Sequence, residues 1–299
     1  MKIDRGSAAI LVVISGVLFG TTGTSSILAD VAAQPTSVGA ARLIVGSLGL
    51  VAFAVYQRGF TDLIKLWKRP RVWIMGLSVS SYMLSFFTAV KLAGAAVAAL
   101  VAISLAPMIA GAIARAFGKP WPGKVWVFST GLAVLGVVLL SAPNSTDSGN
   151  SKIIGALFAV VASTSYAFYT VVGAQLVDDN HNATDGLAAS FSIGAVLLIP
   201  FLIMDSDWIF TGRGISLALW LGLAATTLAY VLFGVGLTYL APGVVATLLL
   251  SEPATATLLG VFVLHEDMSL RGWIGCLMIL IGLVMVSVNE RKKSEVIAI

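Results

Sequence analysis

The sequence predicts an all-α polytopic membrane protein. Its ten transmembrane helices form two inverted five-helix repeats, residues 1–148 and 149–299, with both termini cytoplasmic. Three observations predict this: a composition that only a bilayer accommodates, ten apolar runs of spanning length, and a second half that echoes the first with its loop charges reversed.

Apolar residues make up 58% of the 299, and 30 glycines add to them, against about 45–50% apolar in soluble domains with glycine counted in. Charged residues are 11%, where about 25% is usual, too few to coat a water-facing surface. The mean hydropathy is +0.99. A soluble enzyme, a nucleic-acid binder and a secreted disulfide scaffold are excluded at this step. The formal net charge of +4 does not point to nucleic acid, because the basic residues flank apolar runs and report orientation. Cys276, the single cysteine, allows no internal disulfide and reads as a small core residue.

A helix needs about 20 apolar residues to cross about 30 Å of hydrocarbon. The first run, 7–29, follows Lys2 and Arg5 and exceeds the roughly 7–15 residues of a signal-peptide apolar region. It is read as a retained helix, although Val31-Ala32-Ala33 resembles a cleavage site. Its Gly16 and Gly20 stand at GxxxG spacing, which allows close helix approach. The second run, 36–57, carries Arg42. The third, 72–91, sets Tyr82 and Phe86 one turn apart, with Ser78 and Ser85 on the same side. The fourth, 94–117, is interrupted by Pro107, and the fifth covers 122–142.

A polar loop, Asn144–Lys152, joins the halves. The sixth run, 153–177, places Ser163, Tyr166 and Tyr169 on one face, and the seventh covers 184–204. The eighth, 214–239, puts Thr226 and Tyr230 on a shared face. The ninth, 243–264, holds Glu252 and Pro253, and the tenth is 269–288. Barrel strands would be about ten residues long and alternate in polarity, whereas these runs are apolar all round. Trp67, Trp121, Trp208 and Trp220 fall at predicted interfaces as belt anchors.

Orientation follows from the basic residues. With the N-terminus inside, thirteen lie in inside segments: Lys2, Arg5, Arg58, Lys65, Lys68, Arg69, Arg71, Arg115, Lys119, Lys124, Arg291, Lys292 and Lys293. Only Lys91, Lys152, Arg213 and Arg271 lie outside, and Arg42 lies within a span. That bias places both termini in the cytoplasm. One inside connection dissents: it holds Asp178, Asp179, His181 and Asp185 without a Lys or Arg.

The halves match at a nearly constant offset. Gly6 and Phe19 pair with Gly155 and Phe168, Tyr82 and Leu92 with Tyr230 and Leu240, and Pro107, Gly136 and Ser141 with Pro253, Gly282 and Ser287. Five helices per half is odd, so the copies are inverted. The basic inside RGFTDLIKLWKRPR and FGKPWPGK correspond to the acidic outside DSDWIFTGRG and LHEDMSLRG. Inverted five-helix repeats that rock about a midplane site are the architecture of secondary transporters, although channels, scramblases and membrane enzymes are also duplicated.

Ionisable groups inside a bilayer are the first functional candidates. Thirteen of the 14 carboxylates fall in loops or termini, leaving Glu252; among basic residues only Arg42 lies within a span. Neither has a charged counterpart in the other half, where Ala106 corresponds to Glu252 and Phe191 to Arg42. They read either as structural residues paired with each other or with carbonyls, or as the holders of a substrate's ammonium and carboxylate. Pro107 and Pro253 read as static kinks or as hinges exposing backbone to a cavity. The tyrosines read as packed rings or as a cavity lining suited to a flat neutral or zwitterionic solute. No metal site or cofactor is expected, since His181 and His265 lie in loops and one cysteine cannot build a thiolate site. No Walker-type loop appears.

Leu248-Leu-Leu-Ser-Glu-Pro253, the block Leu264-His-Glu-Asp-Met-Ser-Leu-Arg-Gly-Trp-Ile-Gly275 and the run Ile279–Val284 resemble the second-half signature of the drug/metabolite transporter superfamily, in its ten-helix EamA-like branch. Ala41-Arg42-Leu43 is similar to that branch's first-repeat arginine. Within the branch, the chain most resembles bacterial inner-membrane exporters of aromatic amino acids. The resemblance implies efflux of aromatic amino acids, with methionine and related neutral compounds, through a cavity among helices 1, 3, 4, 6, 8 and 9. Ala106-Pro107 departs from the Glu252-Pro253 of the second repeat, so no symmetric pair of acid sites is available.

The resulting expectation is an alternating-access exporter in the bacterial inner membrane. The substrate-binding residues are Tyr82, Ser85, Phe86, Tyr166, Tyr230, Ser251, Glu252 and Arg42, and the hinges Pro107, Pro253, Gly94 and Gly243. Its partners are a small neutral or aromatic amino acid and the lipid bilayer, and a single chain already holds both repeats. The rival in the same fold is an exporter of lipophilic drugs; a passive channel and a lipid-modifying enzyme are the rivals from other classes. A substrate lacking both charges would require Arg42 and Glu252 to pair with each other.

Overall fold

The computed structural model describes residues 3–141, 150–178 and 182–297, and among these there are helices and no strand. In chain order they are α1 (Arg5–Ala29), α2 (Pro35–Arg58), α3 (Phe60–Trp67), α4 (Pro70–Ala93), α5 (Ala95–Ala116) and α6 (Lys124–Ser141). The second half holds α7 (Asn150–Asp178), α8 (Ala183–Ile203), α9 (Gly212–Leu219), α10 (Ala229–Tyr239), α11 (Pro242–Leu248), α12 (Ser251–Val263) and α13 (Leu270–Ile297). A π-helical stretch, Trp220–Leu228, joins α9 to α10 without a break. Among the described residues, eight segments are long and apolar enough to cross a membrane, and Val101–Ala116 and Lys124–Leu140 are shorter apolar helices. The ten predicted runs therefore divide into eight of spanning length and two shorter ones. The predicted loop lies, over 144–149, outside the described residues, as does His181; residues 150–152 open α7.

Local chemistry sets the helix ends. Asp4 caps α1 by accepting from the Ser7 N–H (2.9 Å), and this contact holds its exposed carboxyl below the usual range. Pro35, Pro70 and Pro242 open α2, α4 and α11, where a missing N–H has no partner to lose. Gly94 turns α4 into α5 at φ +86° with open space where a Cβ would stand, so the backbone angle alone demands glycine. The segment Phe60–Trp67, part of a predicted inside loop, is itself a short amphipathic helix with Leu63 and Leu66 buried.

The helices pack as a single bundle. The α4 helix lies on α7 and α8, α2 on α8 and the π stretch, α1 on α10 and α12, α5 on α7 and α11, and α6 on α13. Gly16 and Gly20 set the α1–α12 crossing. A Cβ on Gly16 would overlap the Ser251 hydroxyl, and one on Gly20 would stand 2.7 Å from the Glu252 carbonyl oxygen. At one end of the bundle the buried Glu290 of α13 pairs with Arg5 (3.8 Å) and Lys293. Arg5 Nε also donates to the Tyr239 carbonyl (3.1 Å) and Lys293 Nζ to the Pro122 carbonyl (3.2 Å). One buried carboxylate thus ties α13 to α1, to the end of α10 and to the α5–α6 connection.

Several expectations change. Pro107 does not interrupt its span: α5 runs through it unbroken, as membrane helices allow when neighbours absorb the freed carbonyl. Trp208 is no belt anchor, being 4% exposed and donating to the Ser37 hydroxyl (2.8 Å). Ser78 does not share the Tyr82 side; it faces an outer groove with Ser81, Thr164 and Phe168. The acidic connection that dissents from the charge bias is offset from beyond itself, because Arg58 at the end of α2 meets the buried Asp185 (3.7 Å). Cys276 is buried, as expected.

Gly20→Leu should destabilise the fold by about 1–3 kcal/mol through overpacking, seen as a lower thermal midpoint in detergent. Gly131→Ala, where a Cβ meets nothing within 4 Å, should leave that midpoint unchanged or raised.

Candidate functional site

A cavity of about 490 Å³ lies inside the bundle, lined by residues of α1, α2, α4, α5, α6, α7, α8, the π stretch, α10 and α12. Eight aromatic rings line it. Tyr230 stands 4.9 Å from Phe19, 4.3 Å from Phe191 and 5.5 Å from Phe233, centre to centre. Its hydroxyl lies 3.1 Å from that of Tyr169, so two mid-span phenols satisfy each other. On the facing wall Tyr82 stacks with Phe86 at 5.9 Å, and Tyr166 bridges to Tyr82 (6.0 Å) and Tyr169 (4.9 Å).

Arg42 enters from α2. Its Nε donates to the Thr226 hydroxyl (3.0 Å) and its Nη2 to the Ala225 carbonyl (3.0 Å), and the guanidinium sits 5.6 Å from the Phe19 ring centre. The π stretch creates this landing place. Its wider turn moves the N–H bonds from the i−4 to the i−5 carbonyl, and threonine hydroxyls add further donors: Thr226 to the Leu221 carbonyl (2.8 Å), and Thr227 to that of Gly222 (3.1 Å) and, on α2, that of Gly46 (3.0 Å).

Glu252 enters from the other side, where the ninth predicted run is broken between Leu248 and Ser251. Pro253 is the third residue of α12, so its missing N–H falls in the first turn, where no intrahelical acceptor waits. The Glu252 N–H closes the turn onto the Leu249 carbonyl (2.9 Å). Its carboxylate lines the cavity and makes no hydrogen bond or ion pair among the described residues. Arg42 and Glu252 thus share one cavity without pairing.

Two side chambers join the cavity. One, of about 360 Å³, shares Arg42, Met83 and Phe87 and reaches Ile27, Val31 and Ala33 beyond the end of α1. The other, of about 30 Å³, shares Tyr82, Tyr166 and Glu252 and is closed by Ala102, Ala106, Ala246 and Leu250.

Of the predicted site residues, Arg42, Tyr82, Phe86, Tyr166, Tyr230 and Glu252 line the cavity together, with the predicted hinge Pro253. Ser85 is buried away from it. Ser251 is engaged elsewhere: its hydroxyl donates to the Val13 carbonyl (3.1 Å) at the α1 crossing. Gly94 sits at the α4–α5 turn, and Gly243 packs in α11 against Trp126 and Gly111. Phe19, Phe87 and Phe191 also line the cavity. Phe191 carries a sequence signal, since the repeat offset places it opposite Arg42; the π stretch carries none. No group of His, Cys, Asp and Glu among the described residues could hold a metal ion.

The family model of EamA-like transporters matches residues 6–142 and again 153–288. This chain belongs to that family. It is a multi-pass membrane transporter, not an enzyme. A Bacillus subtilis protein named uncharacterized transporter YwfM is 38% identical over 289 residues, covering 95% of each chain. An uncharacterized transporter of Archaeoglobus fulgidus is 27% identical over 94% of this chain and 95% of its own. The threonine/homoserine exporter RhtA of Salmonella typhimurium is 27% identical over 87% of this chain and 83% of its own. A protein crystal structure at 20% identity shares the fold, with a TM-score of 0.80 over 96% of this chain and 100% of that one.

Arg42→Ala should cost about 1–3 kcal/mol of stability, because the Ala225 carbonyl and the Thr226 hydroxyl then lose their guanidinium donor inside the bundle. Arg42→Lys should recover part of this, since an ammonium reaches one acceptor where the guanidinium fork reaches two. Thermal unfolding in detergent reads both.

Proposed function

We propose that this chain exports aromatic amino acids, with methionine and related neutral compounds, across a bacterial inner membrane by alternating access. The observation that carries the reading is the separation of Arg42 from Glu252 within one ring-lined cavity. A zwitterion carries one charge for each, and an aromatic side chain has the facing Tyr82–Phe86 and Tyr230–Phe191 walls to lie between. Dehydrating such a solute costs several kcal/mol unless both charges find partners. A relative supports the class: RhtA is by name a threonine/homoserine exporter.

Rocking of two inverted five-helix repeats, 1–148 and 149–299, supplies the motion. Support comes from the family model matching once in each half and from reciprocal contacts. Ser80 of α4 donates to the Gly194 carbonyl of α8 (3.4 Å), and Thr227 of the π stretch donates to the Gly46 carbonyl of α2 (3.0 Å). The predicted hinges are Gly94, Gly243, Pro107 and Pro253. With ten spans and cytoplasmic termini, supported by the distribution of Lys and Arg, the chamber past α1 faces outward and the Glu290 cluster closes the cytoplasmic end.

An exporter of lipophilic drugs and metabolites in the same fold is the second reading, favoured for cationic ones by the rings around a lone carboxylate. Purified protein in liposomes separates the two. The amino-acid reading predicts saturable counterflow of labelled phenylalanine that tryptophan competes away, with Arg42→Ala and Glu252→Gln each lowering it about tenfold or more. Competition by cationic dyes but not by amino acids would overturn it in favour of the second reading.

A further inference from the structure

We infer that the small recess behind Glu252 is a subsite for a primary ammonium group, selected by size as well as charge, with the Tyr166 hydroxyl as its second ligand. The inference rests on the amino-acid reading in one respect only: it locates the ammonium end of that substrate.

Two unsatisfied groups converge on the recess. The Tyr166 hydroxyl is buried and has no hydrogen-bond partner among the described residues; Thr170, one turn on, directs its own proton to the Tyr166 backbone carbonyl (2.9 Å). The Glu252 carboxylate, an acceptor, has no donor among them. Both line the same space of about 30 Å³. Leaving an acceptor and a phenol unpaired in a protein interior is costly, and a group that satisfies both must be small. An ammonium suits them, because it donates to the carboxylate and to the phenol oxygen at once, and the adjoining Tyr82 and Tyr166 rings offer faces that attract a cation.

The opposite wall sets the size limit. Ala102, Ala106 and Ala246 close the recess with Leu249 and Leu250, leaving room for about one water-sized group. An –NH3⁺ fits; a trimethylammonium does not. Ala106 is also the residue that the repeat offset places opposite Glu252, so the recess holds one carboxylate and takes one positive charge.

The test is the rate at which a hydrophobic carbodiimide labels Glu252 in the full-length protein in liposomes, read by mass spectrometry with Glu252→Gln as the unlabelled reference. Methylammonium should slow labelling by about threefold or more, and tetramethylammonium should leave it unchanged. Tyr166→Phe removes an oxygen with no partner among the described residues, so it should fold normally. It should raise the methylammonium needed for the same protection by about tenfold. Equal protection by the two cations, no protection by methylammonium, or undiminished protection in Tyr166→Phe would each overturn the subsite. Protection without phenylalanine counterflow would overturn the amino-acid reading and leave the subsite standing; counterflow without protection would do the reverse.

Discussion

A carbonyl within hydrocarbon has no water to accept from, so every departure from the α-helix inside a membrane protein must bring its own donor. The run that carries Glu252 and the run on which Arg42 lands both depart. In the π stretch, Thr226 and Thr227 donate to the Leu221 and Gly222 carbonyls, and Arg42 takes that of Ala225. Ser15 of α1 covers the Ala229 carbonyl at 2.8 Å. At the α11–α12 break, the Glu252 N–H covers the Leu249 carbonyl and the Ser251 hydroxyl reaches across to α1. Arg42 and Glu252 stand where they do because these repairs hold the backbone in place.

The same arrangement explains why α1 matters to a cavity it lines only in part. Gly16 and Gly20 bring α1 against the first turn of α12, where the Ser251 and Thr255 side chains meet the two glycines, so the depth of Glu252 is set by this close crossing. Phe19, on the same helix, packs against Tyr230 and lies beneath the Arg42 guanidinium. A shift of α1 would therefore reach both polar ends of the cavity at once. Its start is in turn held to α13 through Arg5 and Glu290.

The scaffold and its chemistry differ in symmetry. Hydroxyl-to-carbonyl contacts join the halves on both sides, yet the polar residues are not matched: the proposed duplication sets Phe191 opposite Arg42 and Ala106 opposite Glu252. Under the proposed duplication, an almost two-fold frame holds a dipolar interior. Under the proposed function, that gives a zwitterion one preferred orientation, with its carboxylate toward Arg42 and its ammonium toward Glu252.

Sequence alone determined the solvent, the helical class and the approximate limits of the apolar runs. Those depend on how many consecutive residues avoid water, a quantity that is additive along the chain. It also singled out Arg42 and Glu252, because a charge within an apolar run is conspicuous wherever its side chain points. Serines carry no such mark: Ser85 and Ser251 were indistinguishable from lining residues until the packing turned them away from the cavity. The two prolines looked equivalent in sequence, yet Pro253 lies at a helix break and Pro107 inside an intact helix. Only the tertiary structure decided these points, along with the π stretch and the separation of Arg42 from Glu252. Each depends on which carbonyl or ring a distant helix brings within about 3–6 Å, and no local pattern of residues encodes that distance.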